Sequence, residues 1–144
     1  MSNRIFWHSE GVEMPRLDYE KTELWLEKVA QTHDRIVGPM NYIFCSDDRI
    51  LEVNRQFLNH DYFTDIITFD YSRSRMVSGD MYISLETVAS NADGLGVNYD
   101  VELNRVIVHG LLHLCGINDK GPGEREIMES NENAALEILK GLTR

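Results

Sequence analysis

Residues 101–119 read VELNRVIVHGLLHLCGIND. Val106, Ile107, Val108, Leu111, Leu112 and Leu114 leave this run little polar surface, so it is predicted to be a core helix. It starts at Tyr99 or Asp100 and runs to Leu114, with Gly116 as a natural cap. His109 and His113 interrupt the apolar run four residues apart, so their rings share one helix face. Polar rings on such a helix need partners. Gly116 lets the chain turn back, and Asp119 then comes within reach. Two nitrogens and one carboxylate oxygen leave one position open on a tetrahedral metal. That pattern suits Zn²⁺ with a coordinated water, because structural zinc sites close all four positions with protein ligands. The competing reading is that the pair is two ordinary core or surface histidines. The apolar setting, Asp119, and two glycines that tolerate close backbone approach (Gly110 and Gly116) favour the metal.

The residue after His109 narrows the chemistry. The zinc-peptidase pattern places a glutamate there as general base. Gly110 can neither take nor give a proton, so a peptidase of that kind is disfavoured. A base must come from another segment. Otherwise metal-activated water must suffice, with an arginine, lysine or histidine stabilising the developing charge.

Outward from this helix, residues 119–123 are polar and glycine-rich and read as a loop. Residues 124–139 form a last amphipathic helix, with Ile127, Met128, Ala135, Leu136 and Leu139 on or near one face. Upstream, residues 4–8 are a short aromatic strand. Residues 17–33 form an amphipathic helix, with Leu17, Leu24, Trp25, Val29 and Ile36 at helical spacing. Residues 40–46 are a strand, and Asp47 is the expected N-cap of a helix through Ile50, Leu51, Val53, Asn54 and Phe57. Residues 65–71 and 77–84 are two further strands, and Ser84, Glu86 and Thr87 start a short helix. Asp80 has two readings: a solvated strand residue, or a carboxylate orienting a ligand imidazole. The order β-α-β-α-β-β-α-α-α predicts an α+β fold, with 1–144 a single domain. A four-stranded mixed sheet packs against helices, and the metal-site helix lies in the core.

Composition sets the bounds. A chain of 144 residues, 42% hydrophobic and 26% charged, suits one domain that buries roughly 68–70% of its unfolded surface. Cys45 and Cys115 are too few for a disulfide scaffold and read as free core thiols. No apolar run approaches the ~20 residues of a membrane span, and the first residues lack a signal-peptide pattern. A reducing cytoplasm is expected. The net charge of -10 excludes polybasic coating of nucleic acid, but not a local basic site on an acidic body.

The stretch HGLLHLCGIND, 109–119, resembles the signature H-G-x-L-H-L-x-G-Y-D-H of the YbeY family of metal-dependent endoribonucleases. The stretch NRQFLNHDYFTDIITF, 54–69, resembles that family's N-x-x-Y-R-x-x-D-x-P-T-D-V-L-S-F, and GDMYIS, 79–84, its G-D-I-x-I-S strand. Glu102 with Leu103, and Met128 with Glu132, also fall where the family carries similar residues. The resemblance implies a metal-dependent endoribonuclease of ribosomal RNA maturation and ribosome quality control. It implies single-stranded or ribosomal RNA as substrate, and ribosomal proteins or a translation GTPase as partners.

The departures carry their own expectations. The family's third metal histidine falls on Asp119, and its Tyr-Asp pair on Ile117 and Asn118. A carboxylate is a legitimate zinc ligand, so His109, His113 and Asp119 are the expected metal set, with Asn118 a weaker alternative to Asp119. The added negative charge makes the metal less electrophilic than three imidazoles would. The family arginine falls on Leu58, which cannot bind a phosphate. His60, Arg55 and Arg73, the last beside Arg75, are the candidates to supply that charge and are the expected catalytic residues. Thr64 and Asp65 border the expected cleft, and Tyr62, Phe63 and Tyr71 are available to stack bases. Two rival functions stand beside this one: a metal-dependent hydrolase of a smaller substrate, and a non-catalytic ribosome-associated factor with a structural metal.

Overall fold

Strand alternation and helix capping explain most of the architecture seen in a computed structural model, which describes residues 4–59 and 64–142. The elements are β1 (Ile5–Ser9), α1 (Tyr19–Thr32), β2 (Ile36–Cys45), α2 (Asp47–Val53), a π turn continuing it (Asn54–Leu58), β3 (Ile66–Asp70), β4 (Met76–Ser84), α3 (Leu85–Leu95), α4 (Tyr99–Leu114) and α5 (Glu124–Leu142). The sheet order is β1-β2-β4-β3. β1 runs parallel to β2 and β2 parallel to β4, while β3 and β4 form an antiparallel hairpin. The expected four-stranded mixed sheet against helices is therefore present, with β4 inside it rather than at its edge.

Alternate residues of the central strands point to opposite faces. Met40, Tyr42 and Phe44 of β2, with Val77, Met81 and Ile83 of β4, are buried in the main core with α1, α4 and α5. Cys45, Ile50, Val53 and Ile67 form a smaller cluster, against which Phe69 and Tyr82 pack. α4 is the centre of the main core. Its Leu103, Ile107, Val108, Leu111 and Leu112 are fully buried, each contributing about 1.5–3 kcal/mol of transfer free energy. The approach of α4 to the sheet is close enough to require glycine at one position. A Cβ on Gly110 would meet Met81 Cγ at 2.9 Å and Ile66 Cδ1 at 3.0 Å. Two buried polar contacts fix the helices further: Tyr42 Oη donates to the Ile107 carbonyl at 2.7 Å, and Trp25 Nε1 to the Ala135 carbonyl at 2.7 Å.

Three local expectations need correction. β2 begins at Ile36, not at residue 40, and Ile36 belongs to it rather than to the helical stripe. The chain leaves α1 through Asp34 at φ 58°. The strand then carries a register shift between Val37 and Met40, where Pro39 lacks an amide to donate. Leu24 faces solvent, and the buried face of α1 is Thr22, Trp25, Leu26, Val29 and Ala30. The N-cap of α2 is Ser46, which accepts from the Arg49 amide at 3.2 Å. The Asp47 carboxylate instead accepts from the hydroxyls of Ser84 and Thr87 at the start of α3.

Candidate metal centre

One face of α4 lines a cleft of about 1120 Å³. Glu102, Arg105, His109 and His113 follow one another along that face at helical spacing, and all four line the cleft. Cys115 and Gly116, the latter at φ 93°, end the helix and turn the chain so that Asp119 returns over the imidazoles. Asp119 Oδ2 lies 3.3 Å from His109 Nε2, and its Oδ1 lies 3.4 Å from His113 Nε2. The two rings stand at 78° with centroids 4.8 Å apart. The three ligand atoms all fall within 4.8 Å of one another.

These residues fit a metal ion on two counts. Two imidazole nitrogens and a carboxylate oxygen are a donor set that zinc takes, and Asp119 presents an oxygen to each ring nitrogen, at 3.3 and 3.4 Å. Asp119 Oδ1 is also buried without a hydrogen-bond partner, alone in this respect among the described side-chain atoms. A buried acceptor left unsatisfied costs about 1–3 kcal/mol, and a cation would remove that cost.

The carboxylate behind the site comes from α5. Glu132 Oε2 lies 2.6 Å from His109 Nδ1, so the imidazole donates backwards and keeps the Nε2 lone pair for the Asp119 side. Burial pulls the His109 pKa down. The hydrogen bond to Glu132 and the charges of Glu132, Asp119 and Asp65 outweigh it and raise the pKa above the usual value. Burial and the neighbouring His109 hold His113 below its usual value. Glu102 is buried in the cleft wall. Desolvation first, then Asp65 and Glu132, raise its pKa against the opposing charge of Arg105.

The sequence candidates separate in space. His109, His113 and Asp119 converge. Thr64, Asp65, Leu58 and Asn118 line the same cleft. Arg55 is exposed on the π turn, and Arg73 is exposed on the β3–β4 turn, where its backbone pairs with Met76. Neither belongs to the cleft lining among the described residues. Arg75 pairs with Asp34 at 2.8 Å. His60, Tyr62 and Phe63 lie outside the described residues. Tyr71 is exposed and does not line the cleft among the described residues. Asp80 does not orient a ligand imidazole; it accepts from Asn41 at 3.0 Å, on the face of β4 opposite Met81.

Sequence reading missed three cleft cations, Arg105, Lys120 and Arg125, and the orienting role of Glu132. Two signals were present. Arg105 precedes His109 by one helical turn, and Glu132 interrupts the buried stripe of α5 between Met128 and Ala135.

The family model described as Endoribonuclease YbeY matches residues 9–140. The Endoribonuclease YbeY of Phocaeicola vulgatus is 59% identical over 135 residues, covering 94% of this chain and 98% of that protein. The protein of the same name from Porphyromonas gingivalis is 44% identical over 137 residues, covering 95% and 91%. A Thermotoga maritima protein of known solution structure superposes with a TM-score of 0.65 at 27% identity, over 95% of this chain and 89% of that one.

Proposed function

This chain belongs to the YbeY endoribonuclease family, and on that premise we propose that it is a metal-dependent endoribonuclease of ribosomal RNA processing. One Zn²⁺ is held by His109, His113 and Asp119. The observation that carries this reading is the convergence of both Nε2 atoms on Asp119, whose Oδ1 is buried without a hydrogen-bond partner, at the floor of an open cleft. A divalent cation there would supply Lewis acidity toward water and a phosphoryl oxygen.

The chain's own groups do the rest. Glu132 fixes the His109 ring. Arg105, Lys120 and Arg125 place positive charge along the cleft, where a phosphate backbone is bound without reading sequence. Glu102, whose pKa is raised by burial first and then by Asp65, is the carboxyl on the cleft wall assigned to exchange a proton with a departing oxygen. Arg55, Arg73 and His60 are assigned the positive charge toward phosphate that the family arginine would supply. Single-stranded RNA is the favoured substrate form, because splayed bases can enter a groove that a duplex cannot. The free thiols of Cys45 and Cys115 support a reducing, cytoplasmic setting, and contacts with ribosomal proteins or a translation GTPase follow from the family reading. No described helix is long and apolar enough to cross a membrane.

The test is RNA cleavage by purified protein of known metal content, beside His113→Ala and with peptide and ester substrates as controls. Cleavage of phosphodiesters alone, lost in His113→Ala, is the expected result. One observation favours a second reading: Leu58 lines the cleft where the family resemblance expects arginine. A non-catalytic ribosome-associated factor would show metal-dependent melting with no metal-dependent turnover.

A further inference from the structure

Arg105 lies one turn before His109 on α4 and outside the metal set. Its Nη1 donates to Glu132 Oε1 at 2.9 Å, and its Nη2 to Asn133 Oδ1 at 2.8 Å. The other oxygen of the same carboxylate, Oε2, lies 2.6 Å from His109 Nδ1. One side chain of α5 thus receives two donors from successive turns of α4. The Glu132 side chain is only 11% exposed, and burying a carboxylate is costly unless it is paired and its oxygens are hydrogen-bonded. Arg105 supplies the charge and the hydrogen bond to Oε1, while its second arm, on Asn133, ties α4 to α5. A lysine can keep the charge and one donor to Glu132 but not the tie to Asn133.

We infer that Arg105 is a positioning residue for the metal ligand His109, acting through Glu132. It holds the carboxylate where the His109 proton must sit on Nδ1, which leaves the Nε2 lone pair facing Asp119. This rests on the metal reading above and deepens it. The rival role for Arg105 is a plain structural tie between α4 and α5.

The experiment uses the full chain with Arg105→Gln, Arg105→Lys, Asn133→Ala and His113→Ala. Zn²⁺ affinity is read by competition with a chromophoric chelator, and the His109 tautomer by ¹⁵N NMR on metal-free protein. Arg105→Gln is expected to weaken Zn²⁺ binding about 10-fold or more and to turn a single Nδ1–H tautomer into a mixture. Arg105→Lys, which keeps the charge, retains the Nδ1–H tautomer and recovers most of the affinity. Asn133→Ala, which cuts only the helix tie, behaves as wild type. If Arg105→Gln does not fold, Arg105→Met carries the same readouts. Wild-type affinity and tautomer in Arg105→Gln overturn the inference. So does an equal loss in Asn133→Ala, which would show a structural tie only. His113→Ala separates the two readings. It should abolish tight Zn²⁺ binding while leaving the His109 tautomer intact. Retained binding there refutes the metal reading, and the tautomer still decides the role of Arg105.

Discussion

Replacing Asp119 by alanine should move stability in opposite directions with and without metal. In the metal-free protein the Asp119 carboxylate faces two imidazoles at 3.3 and 3.4 Å, and its Oδ1 has no hydrogen-bond partner. Removing the carboxylate relieves an unsatisfied acceptor worth about 1–3 kcal/mol, at the cost of a small cavity. Metal-free Asp119→Ala should therefore be as stable as wild type, or up to about 1 kcal/mol more stable. With metal the sign reverses. At a free Zn²⁺ concentration of 100 times Kd, wild type gains about 2.7 kcal/mol. At roughly 2–4 °C per kcal/mol for a chain of this size, that raises Tm by about 5–11 °C. Asp119→Ala should show almost none of that rise. The assay is thermal unfolding by circular dichroism, with chelator and then with a Zn²⁺ series. A wild-type Zn²⁺-dependent rise in the variant would refute the ligand role. A metal-free variant destabilised by 2 kcal/mol or more would show that Asp119 serves the fold and not a cation.

Gly110→Ala gains about 1 kcal/mol of helix propensity. It also forces a Cβ against Met81 and Ile66 at 2.9 and 3.0 Å, an overpacking cost of about 1–3 kcal/mol. A net loss and weaker Zn²⁺ binding are expected in urea unfolding and metal titration, and an unchanged midpoint refutes the close approach of α4. Burial pushes the Cys115 thiol up to about 11 and the Cys45 thiol up to about 12. Both should resist a thiol reagent at neutral pH in the native state. Because the folded values are raised, the stability these thiols contribute is complete below the unfolded thiol pKa. It falls as pH rises through about 11 for Cys115; rapid native labelling would contradict this. Arg125→Ala should lower single-stranded RNA affinity uniformly across sequences and reduce the salt slope by about 0.7, one phosphate contact. An unchanged slope would remove Arg125 from the RNA path.

Local geometry is what a sequence states best. His109 and His113 share a face because a helix repeats every 3.6 residues, whatever surrounds it. Gly116 turns the chain and Asp119 follows three residues later, so the whole metal set lies within eleven residues of sequence. The alternation around Tyr82 and the apolar run of α4 marked the strands and the core helix for the same reason. Ile36 misled because Gly38 and Pro39 look like a break, whereas a register shift carries the strand through them.

The rest depended on pairings between distant segments. β4 lies between β2 and β3, and this puts Asp80 on the face away from α4, although the period-two pattern itself was legible. Glu132 lies 23 residues beyond His109, and only the packing of α5 on α4 brings its carboxylate to Nδ1 and to Arg105. The acidic composition left room for a local basic site, and tertiary structure decided that Arg105, Lys120 and Arg125 line the cleft while Arg73 stands on a hairpin turn. The sequence by itself determined which three side chains form the candidate metal set, since their spacing is set within one helix and one turn. Tertiary structure alone decided what orients them and which charges surround them, because those groups meet only when separate helices bury their apolar faces together.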